Sequence, residues 1–388
     1  MKKKIKKITV VVTSRTSYCK MKSFLLEFKK RKNLKINIIC STSAVSDNYG
    51  NIEEYLNKDN LKISHKIHNL LDDKSLNSST KTVALGIIQF ADLFKLIKPD
   101  VVVVMADRYE VIAPVIAASY QNIPLAHIQG GEISGNIDEK VRHAISKFSD
   151  VHFPATKNAQ INLINMGEDK DRVFLTGCPS IDIAKKIKKH KKFKYEIYVK
   201  YKGVGPKFKF ASKKYILVMF HSDTNEIEKT NIFVKNLLKL VNNLNYNVYW
   251  FWPNSDAGTL IISKIIRQNR ELNKLNKIHF FKNMDPEDFL ILLNNSIGII
   301  GNSSAGIRES SYLGIPSINI GNRQNGREKY LNVMDIKNLN GNEMIKVKIH
   351  LNKKFKPSKI YGDGNAGKKI ASILYNNDFS YKKTFVVE

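Results

Sequence analysis

Apolar runs of four to six residues recur along the chain, separated by stretches in which apolar positions return every three or four residues. In the first half, residues 8–12, 34–39, 101–105, 124–128, 151–153 and 173–175 predict strands. Residues 20–32, 79–97, 109–121, 138–149 and 157–166 predict helices between them. Val101–Met105 holds no polar residue, the pattern of a parallel strand buried on both faces. A second series follows, with strands at 215–220, 248–252, 278–281, 297–300 and 317–320 and helices near 226–243, 257–268, 286–294 and 305–313. Strands alternating with helices imply parallel sheets of the doubly wound kind.

Length sharpens this picture. At 388 residues the chain exceeds what one ordinary core serves, so two domains are expected. The break falls where the pattern lapses, in a basic stretch at 185–214 that contains Gly203, Gly205 and Pro206. The expected organisation is an N-terminal Rossmann-like domain (1–184), a basic connecting segment (185–214), a C-terminal Rossmann-like nucleotide-binding domain (215–370) and a tail (371–388). A return to the N-terminal domain is one course open to that tail. The fold class is α/β, two Rossmann-like domains facing a central cleft, with ligands at the carboxyl ends of the strands.

The formal net charge of +29 raises nucleic acid as a partner. The lysines that produce it are scattered, however, and come with no zinc-ligand spacing and no aromatic stacking repeat. An anionic small ligand is expected instead, with no nucleic acid and no metal. Cys19, Cys40 and Cys178 show neither pairing nor metal spacing and suit a reducing cytoplasm. The apolar run at 8–12 is too short for a signal-peptide core, and no apolar stretch is long enough to cross a bilayer. A cytoplasmic protein without a membrane partner is therefore expected.

Candidate chemistry gathers at the predicted strand ends. Strand 297–300 runs into Gly301-Asn302-Ser303-Ser304-Ala305-Gly306, then a predicted helix through Glu309. Unpaired N–H groups at such a turn bind phosphate, and the serines add hydroxyls; the same serines also read as a simple N-cap. Strand 101–105 ends in Ala106-Asp107-Arg108, where Asp107 could equally cap the next helix. Strand 124–128 leads into Gln129-Gly130-Gly131-Glu132, whose glycines allow close backbone approach to a ligand. Asp138 opens a helix carrying Arg142, His143 and Lys147, a spacing that does not place all three on one face. His221 ends strand 215–220, where a lone histidine also reads as structural. Asn254 and Asp256 follow strand 248–252, and Arg323 follows strand 317–320.

Taken together and in order, these segments resemble one family. Asp107-Arg108, His127-Ile128 with Gly130-Gly131-Glu132, Asp138 with Arg142-His143, His221, and Gly301-Asn302-Ser303-Ser304 carry the resemblance. Arg323-Gln324 with Gly326-Arg327, and the run 358–366, complete it. The chain resembles the hydrolysing UDP-N-acetylglucosamine 2-epimerases that serve sialic or related nonulosonic acid synthesis, over about residues 7–375. The resemblance implies a glycosyltransferase-B type fold that eliminates UDP across C1–C2 of the sugar. Water then adds to the resulting glycal with inversion at C2, releasing N-acetylmannosamine. It implies no cofactor, a UDP-sugar as substrate and a homodimer or homotetramer.

Residue by residue, the resemblance implies acid–base roles for Asp107 and Asp138, with a share for Glu132, and a place near the diphosphate for His221. Arg15, Arg108, Ser303, Ser304 and Arg323 match nucleotide-contacting positions. Asn254 matches a further one, and Glu309 the residue that holds the ribose hydroxyls. Lys20 matches a basic residue at the first strand–helix turn, and Cys19 replaces a small hydroxyl residue beside it. Many relatives carry glutamate where this chain has Gln129, and an amide cannot exchange a proton as a carboxyl does. Ala44 stands where histidine is frequent, and Ser222 where proline follows the histidine. Several of these departures flank the implied sugar pocket, so a 2,4-diacetamido-trideoxy sugar on UDP or GDP is the nearest substitute substrate. A non-hydrolysing epimerase, a glycosyltransferase of the same fold and a binding protein without turnover stay open as rivals.

Overall fold

A computed structural model describes residues 5–49, 52–72, 75–134, 137–188, 190, 192–210, 213–223, 226–253, 258–272, 275–339 and 343–386. The chain forms two compact units. The first is made within 1–133, 137–182 and 362–388, and the second chiefly within 183–361, so the chain leaves the first unit and returns to it at Gly362.

The first unit is built on a six-stranded sheet. Its strands are β1 (Lys6–Val12), β2 (Leu34–Ser41), β3 (His65–Ile67), β4 (Val101–Met105), β5 (Leu125–Ile128) and β6 (Val151–Phe153). They lie in the order β3-β2-β1-β4-β5-β6, and every pair is parallel. The apolar runs follow from burial on both faces. Val10, Val12, Val103 and Met105 face a core shared with Tyr18, Phe24 and Phe28, whereas Val11, Val102 and Val104 face another with Phe90 and Phe94. Helix Ala366–Asn376 adds Ile370, Ala371 and Leu374 to the first of these cores. Its first turn is capped by Asp182, which accepts from the backbone N–H groups of Ala366 at 2.9 Å and Gly367 at 2.7 Å.

The second unit repeats the plan. Strands β7 (Tyr215–Met219), β8 (Asn247–Phe251), β9 (Ile278–Phe281), β10 (Ile299–Gly301), β11 (Ser317–Ile320) and β12 (Val333–Ile336) form a sheet in the order β12-β11-β10-β7-β8-β9, again all parallel. One face carries an apolar core with Ile216, Val218, Val248, Trp250 and Ile300. Tyr215, Tyr249, His279 and Phe281 make up an aromatic layer into which residues of the basic stretch 185–214 pack. Tyr198, in helix Ile197–Tyr201, shares a 3.0 Å hydroxyl contact with Tyr249 and lies 4.7 Å from the His279 ring. Tyr195, Lys200 and Tyr201 converge on Asp288 of helix Pro286–Asn294.

Each sheet has the Rossmann strand order, counted from its own first strand. The order reverses between β1 and β4 in the first unit and between β7 and β10 in the second. Ligands of such sheets bind outside the carboxyl ends of the strands at that reversal. Two expectations differ from the fold observed. Residues 173–175 make a single bridge, His152 to Val173, in place of a strand. The helix expected after β10 is a 3₁₀ turn, Ser304–Gly306, followed by a five-residue helix, Glu309–Leu313. Ser310 and Ser311 there donate back to the Gly306 and Ile307 carbonyls at 2.6 Å each, and such back-bonding bends a short helix.

Candidate active site

In the first unit the reversal point presents the end of β4 beside that of β1. Asp107 follows β4 and pairs with the guanidinium of Arg142, which comes from helix Ile137–Phe148. Arg142 is 1% exposed and also donates to the Glu132 carbonyl at 2.6 Å. Burial opposes its charge, but the carboxylates of Asp107, Glu132 and Asp138 hold it protonated, above its ordinary value. Asp138 lies one helical turn before Arg142, on the same face. Three of the acidic residues named from the sequence thus act electrostatically on one buried cation, Asp107 by direct pairing. His143 instead faces Glu139 at 3.6 Å and Lys147 faces Glu168 at 2.8 Å, so Arg142, His143 and Lys147 have different partners.

Gln129 takes a different position. It follows β5 with a left-handed φ of 67°, is 1% exposed, and its amide donates to the Cys178 Sγ at 2.8 Å. The two glycines after it serve the protein's own packing. A Cβ on Gly130 would lie 2.7 Å from both His127 Nδ1 and Ser146 Oγ, and one on Gly131 would lie 2.2 Å from the Ala159 carbonyl oxygen. Both glycines therefore pack closely against β5 and the helices of this unit.

Beside β4, Arg15 opens helix Arg15–Lys29 directly after β1; it donates to the Tyr55 hydroxyl at 3.1 Å and lies over that ring. Ser14 and Ser17 form a reciprocal capping box at the same turn. Cys19 and Lys20 sit one turn further on, both half-buried. Arg108 donates through Nε to Glu110 at 2.6 Å.

In the second unit the reversal joins the ends of β7 and β10, and Asn302 ties them together. Its side chain accepts from the His221 N–H and donates to the His221 carbonyl, each at 2.8 Å, fixing the backbone that carries the histidine. Gly301 has φ +140°, and a Cβ there would meet the Met219 carbonyl oxygen at 1.9 Å, so β10 can cross β7 this closely only with glycine. Ser303 caps the 3₁₀ turn, accepting from the Ala305 N–H at 3.3 Å, and Ser304 begins that turn. Arg323 and Gln324, after β11, both donate to the Asn302 carbonyl, at 3.4 and 2.9 Å. Glu309 is 7% exposed, and its Oε2 has no hydrogen-bond partner among the described residues. Asn254 lies outside the described residues. Among those described, no group of histidine, cysteine or acidic residues is arranged to hold a metal ion, and no helix is long and apolar enough to cross a membrane.

With this geometry in place, comparison with known proteins is direct. The family model described as UDP-N-acetylglucosamine 2-epimerase matches residues 26–375. The chain belongs to this family. It is 31% identical over 371 residues to a Legionella pneumophila protein named UDP-N,N'-diacetylbacillosamine 2-epimerase (hydrolyzing), covering 95% of this chain and 96% of that one. A Campylobacter jejuni protein named GDP/UDP-N,N'-diacetylbacillosamine 2-epimerase (hydrolyzing) is 32% identical, over 85% and 84% of the two chains. Among solved structures, the Methanocaldococcus jannaschii UDP-GlcNAc 2-epimerase in complex with UDP-GlcNAc and UDP superposes with a TM-score of 0.79 at 20% identity. That match covers 96% of this chain and 100% of the other. This epimerase-family enzyme thus has the fold expected of two Rossmann-like units.

Sequence reasoning quoted Arg142 and Asn302 within motifs without giving either a task. Each is a buried polar residue that organises the neighbours named instead. The available signal was an arginine four residues after Asp138, and an amide directly after a strand-ending glycine.

Proposed function

We propose that the chain is a hydrolysing nucleotide-sugar 2-epimerase, and that UDP-N,N'-diacetylbacillosamine is a better substrate for it than UDP-N-acetylglucosamine. The observation that carries the chemistry is the set of Asp107, Glu132 and Asp138 around Arg142 at the first unit's strand reversal. A C2–H is a weak acid, and a positioned carboxylate is what removes such a proton. Departure of UDP from C1 then leaves the glycal. Water adds at C1 and a proton returns to C2 from the opposite face, giving the free 2-epimer and UDP. In this reading Asp107 and Asp138 perform the proton transfers. Gln129, an amide bonded to Cys178, holds no exchangeable carboxyl proton. On the nucleotide side, Ser303, Ser304 and Arg323 take the diphosphate, His221 stabilises its developing charge, and the open Oε2 of Glu309 accepts the ribose hydroxyls. Within the first unit, Arg15, Arg108 and Lys20 are the cations this reading assigns to the nucleotide.

The preference for the diacetamido sugar rests on the names of the two relatives at 31 and 32% identity. It agrees with the departures at Gln129, Ala44 and Cys19. UDP-N-acetylglucosamine is the second reading, supported by a 26% identical Neisseria meningitidis relative named UDP-N-acetylglucosamine 2-epimerase.

Incubation of the pure protein with each sugar nucleotide in deuterated water tests both. The expected result is UDP release, one deuterium at C2 and a free 2-epimer, with higher kcat/KM for the diacetamido substrate. A product that retains its nucleotide would point to a non-hydrolysing epimerase. Turnover only on addition of an acceptor would point to a transferase. Binding without turnover, restored by Gln129→Glu, would identify a protein that has lost catalysis.

A further inference from the structure

Asp107 is preceded by a residue in an unusual conformation. Ala106 has φ +63°, in the left-handed region that residues with a Cβ seldom occupy, although it is not a glycine. Both of its backbone polar groups are tied to β5. Its N–H donates to the Ile128 carbonyl at 2.9 Å, and its carbonyl lies 2.9 Å from His127 Nε2. A backbone carbonyl can only accept, so Nε2 carries the imidazole proton. Nδ1 is then a lone pair, and the Ser146 hydroxyl 3.1 Å away must donate to it. His127 is fully buried, and burial pushes its imidazole down to about 3, so it is neutral with this one N–H near neutral pH. Gly130 closes over the pair, since a side chain there would strike both His127 and Ser146. Ser146 also lies on the helix that carries Asp138 and Arg142.

We propose that His127 is a positioning residue. Its Nε2–H, fixed by Ser146, holds Ala106 in the left-handed conformation from which Asp107 is presented to Arg142. The inference rests on the acid–base role proposed for Asp107. His127 touches no substrate atom in this account and exchanges no proton. A left-handed alanine is intrinsically disfavoured, so it persists only where surrounding bonds over-determine it. The imidazole supplies the donor that the backbone after β5 does not, because the Gln129 N–H is already given to the Phe153 carbonyl at 3.0 Å. Loss of that N–H frees Ala106 to relax, and Asp107 moves with it.

The test compares wild type, His127→Phe, Ser146→Ala and the double variant His127→Phe/Ala106→Gly. Each is measured for kcat, KM and UDP affinity, and His127→Phe is crystallised. His127→Phe is expected to lower kcat about 100-fold, the scale of a misplacement near 1 Å, with KM and UDP affinity unchanged. Glycine adopts positive φ without strain, so Ala106→Gly is expected to recover about tenfold of that loss. A purely structural defect would gain nothing from a second, more flexible residue. Should His127→Phe not fold, Ser146→Ala keeps the test open: it removes only the hydroxyl that fixes the tautomer, and about a tenfold lower kcat is expected. A folded His127→Phe, or Ser146→Ala, that keeps wild-type kcat overturns the proposal, as does a double variant no better than the single. If wild type releases UDP from no sugar nucleotide, the functional reading fails on its own. The variant crystal then decides the positioning claim, which is lost if Ala106 keeps its left-handed φ.

Discussion

Replacing Arg142 by methionine removes a buried cation from among three carboxylates, and stability should register it first. The guanidinium is 1% exposed, bonded to the Glu132 carbonyl at 2.6 Å and paired with Asp107, whose side chain is 15% exposed. Removing one partner of a buried ion pair costs about 3–5 kcal/mol, because the remaining charge is left uncompensated. Asp107 keeps some contact with water, which places the cost near the lower limit, about 3 kcal/mol. Methionine fills part of the vacated volume with a flexible chain, so the added cavity cost is small beside this. For a unit of this size, about 2–4 °C of midpoint is lost per kcal/mol, and the expected fall is roughly 6–12 °C. Scanning calorimetry reads it directly, and only the transition of the first unit should move. The pairing itself is isolated by a cycle with Asp107→Asn, in which the double variant should be less destabilised than the sum by about 1–3 kcal/mol. A midpoint shift under about 2 °C, or simple additivity of the two changes, would refute the claim that this cation holds the carboxylates together.

Four other outcomes follow from the same geometry. Gly301→Ala should abolish soluble expression or the cooperative unfolding of the second unit, since the new Cβ would sit 1.9 Å from the Met219 oxygen; a normally folded variant would contradict the close crossing of β10 and β7. Asp107→Asn and Asp138→Asn should each lower turnover by about 100-fold or more while UDP affinity is kept, as measured by UDP release and deuterium incorporation. Arg323→Ala should weaken UDP binding with little loss of thermal stability; unchanged affinity in titration calorimetry would count against its nucleotide role. Glu168 is 2% exposed; burial works against its charge, but bonds from His152, Lys147 and Lys383 bring its carboxyl from 4.5 down to about 2. Its folded value lies below its unfolded one, so its contribution is present above about pH 4.5 and disappears as pH falls toward 2. Acid unfolding of Glu168→Gln should lack that steep limb, and an unaltered acid profile would show that the network carries no stability.

The interior strands were legible because burial on both faces makes them mostly apolar, β4 wholly so. β4, β6, β9 and β11 match their expected limits, and β1, β2, β5, β7, β8 and β10 differ at their ends by a residue or two. Of the four edge strands, β6 and β9 were legible and the other two were not. β3 is three residues long and includes His65 and Lys66, and β12 carries Asp335, so neither shows an apolar run or a clear alternation. The opposite error occurred at 173–175, where three apolar residues suggested a strand but only a single bridge, His152 to Val173, forms. The basic stretch 185–214 hid its aromatic residues among lysines, and periodicity could not reveal that Tyr198 packs against Tyr249 and His279. Asp107, Glu132 and Asp138 were named from the sequence; Asp107 pairs with the Arg142 guanidinium, and the other two act on it electrostatically. The left-handed backbone at Ala106 and Gln129 left no mark in the sequence, because neither residue is a glycine or asparagine.

That last point bears on how the site's polar residues are held. In each unit, the residues expected to meet substrate lie at strand ends, and a buried polar side chain that is not among them fixes their backbone or charge. Asn302 does this for His221 through two bonds of 2.8 Å, and Arg142 does it for the carboxylates. Such groups are costly to bury unless fully bonded, so each has one well-defined arrangement. Substitution at an organiser should therefore resemble substitution at the residue it holds, although the organiser itself touches no substrate. Asn302→Asp makes the distinction sharp. Aspartate retains the acceptor for the His221 N–H and removes the donor to its carbonyl, placing a carboxylate against a buried backbone oxygen. Loss of that bond and desolvation of the new charge together should cost more than the ~1 kcal/mol of an ordinary hydrogen bond. Turnover should fall with it, because the histidine's backbone is no longer clamped. If instead Asn302→Asp lost stability yet kept full turnover, His221 would not depend on the clamp, and its place in the chemistry would have to be assigned to another group.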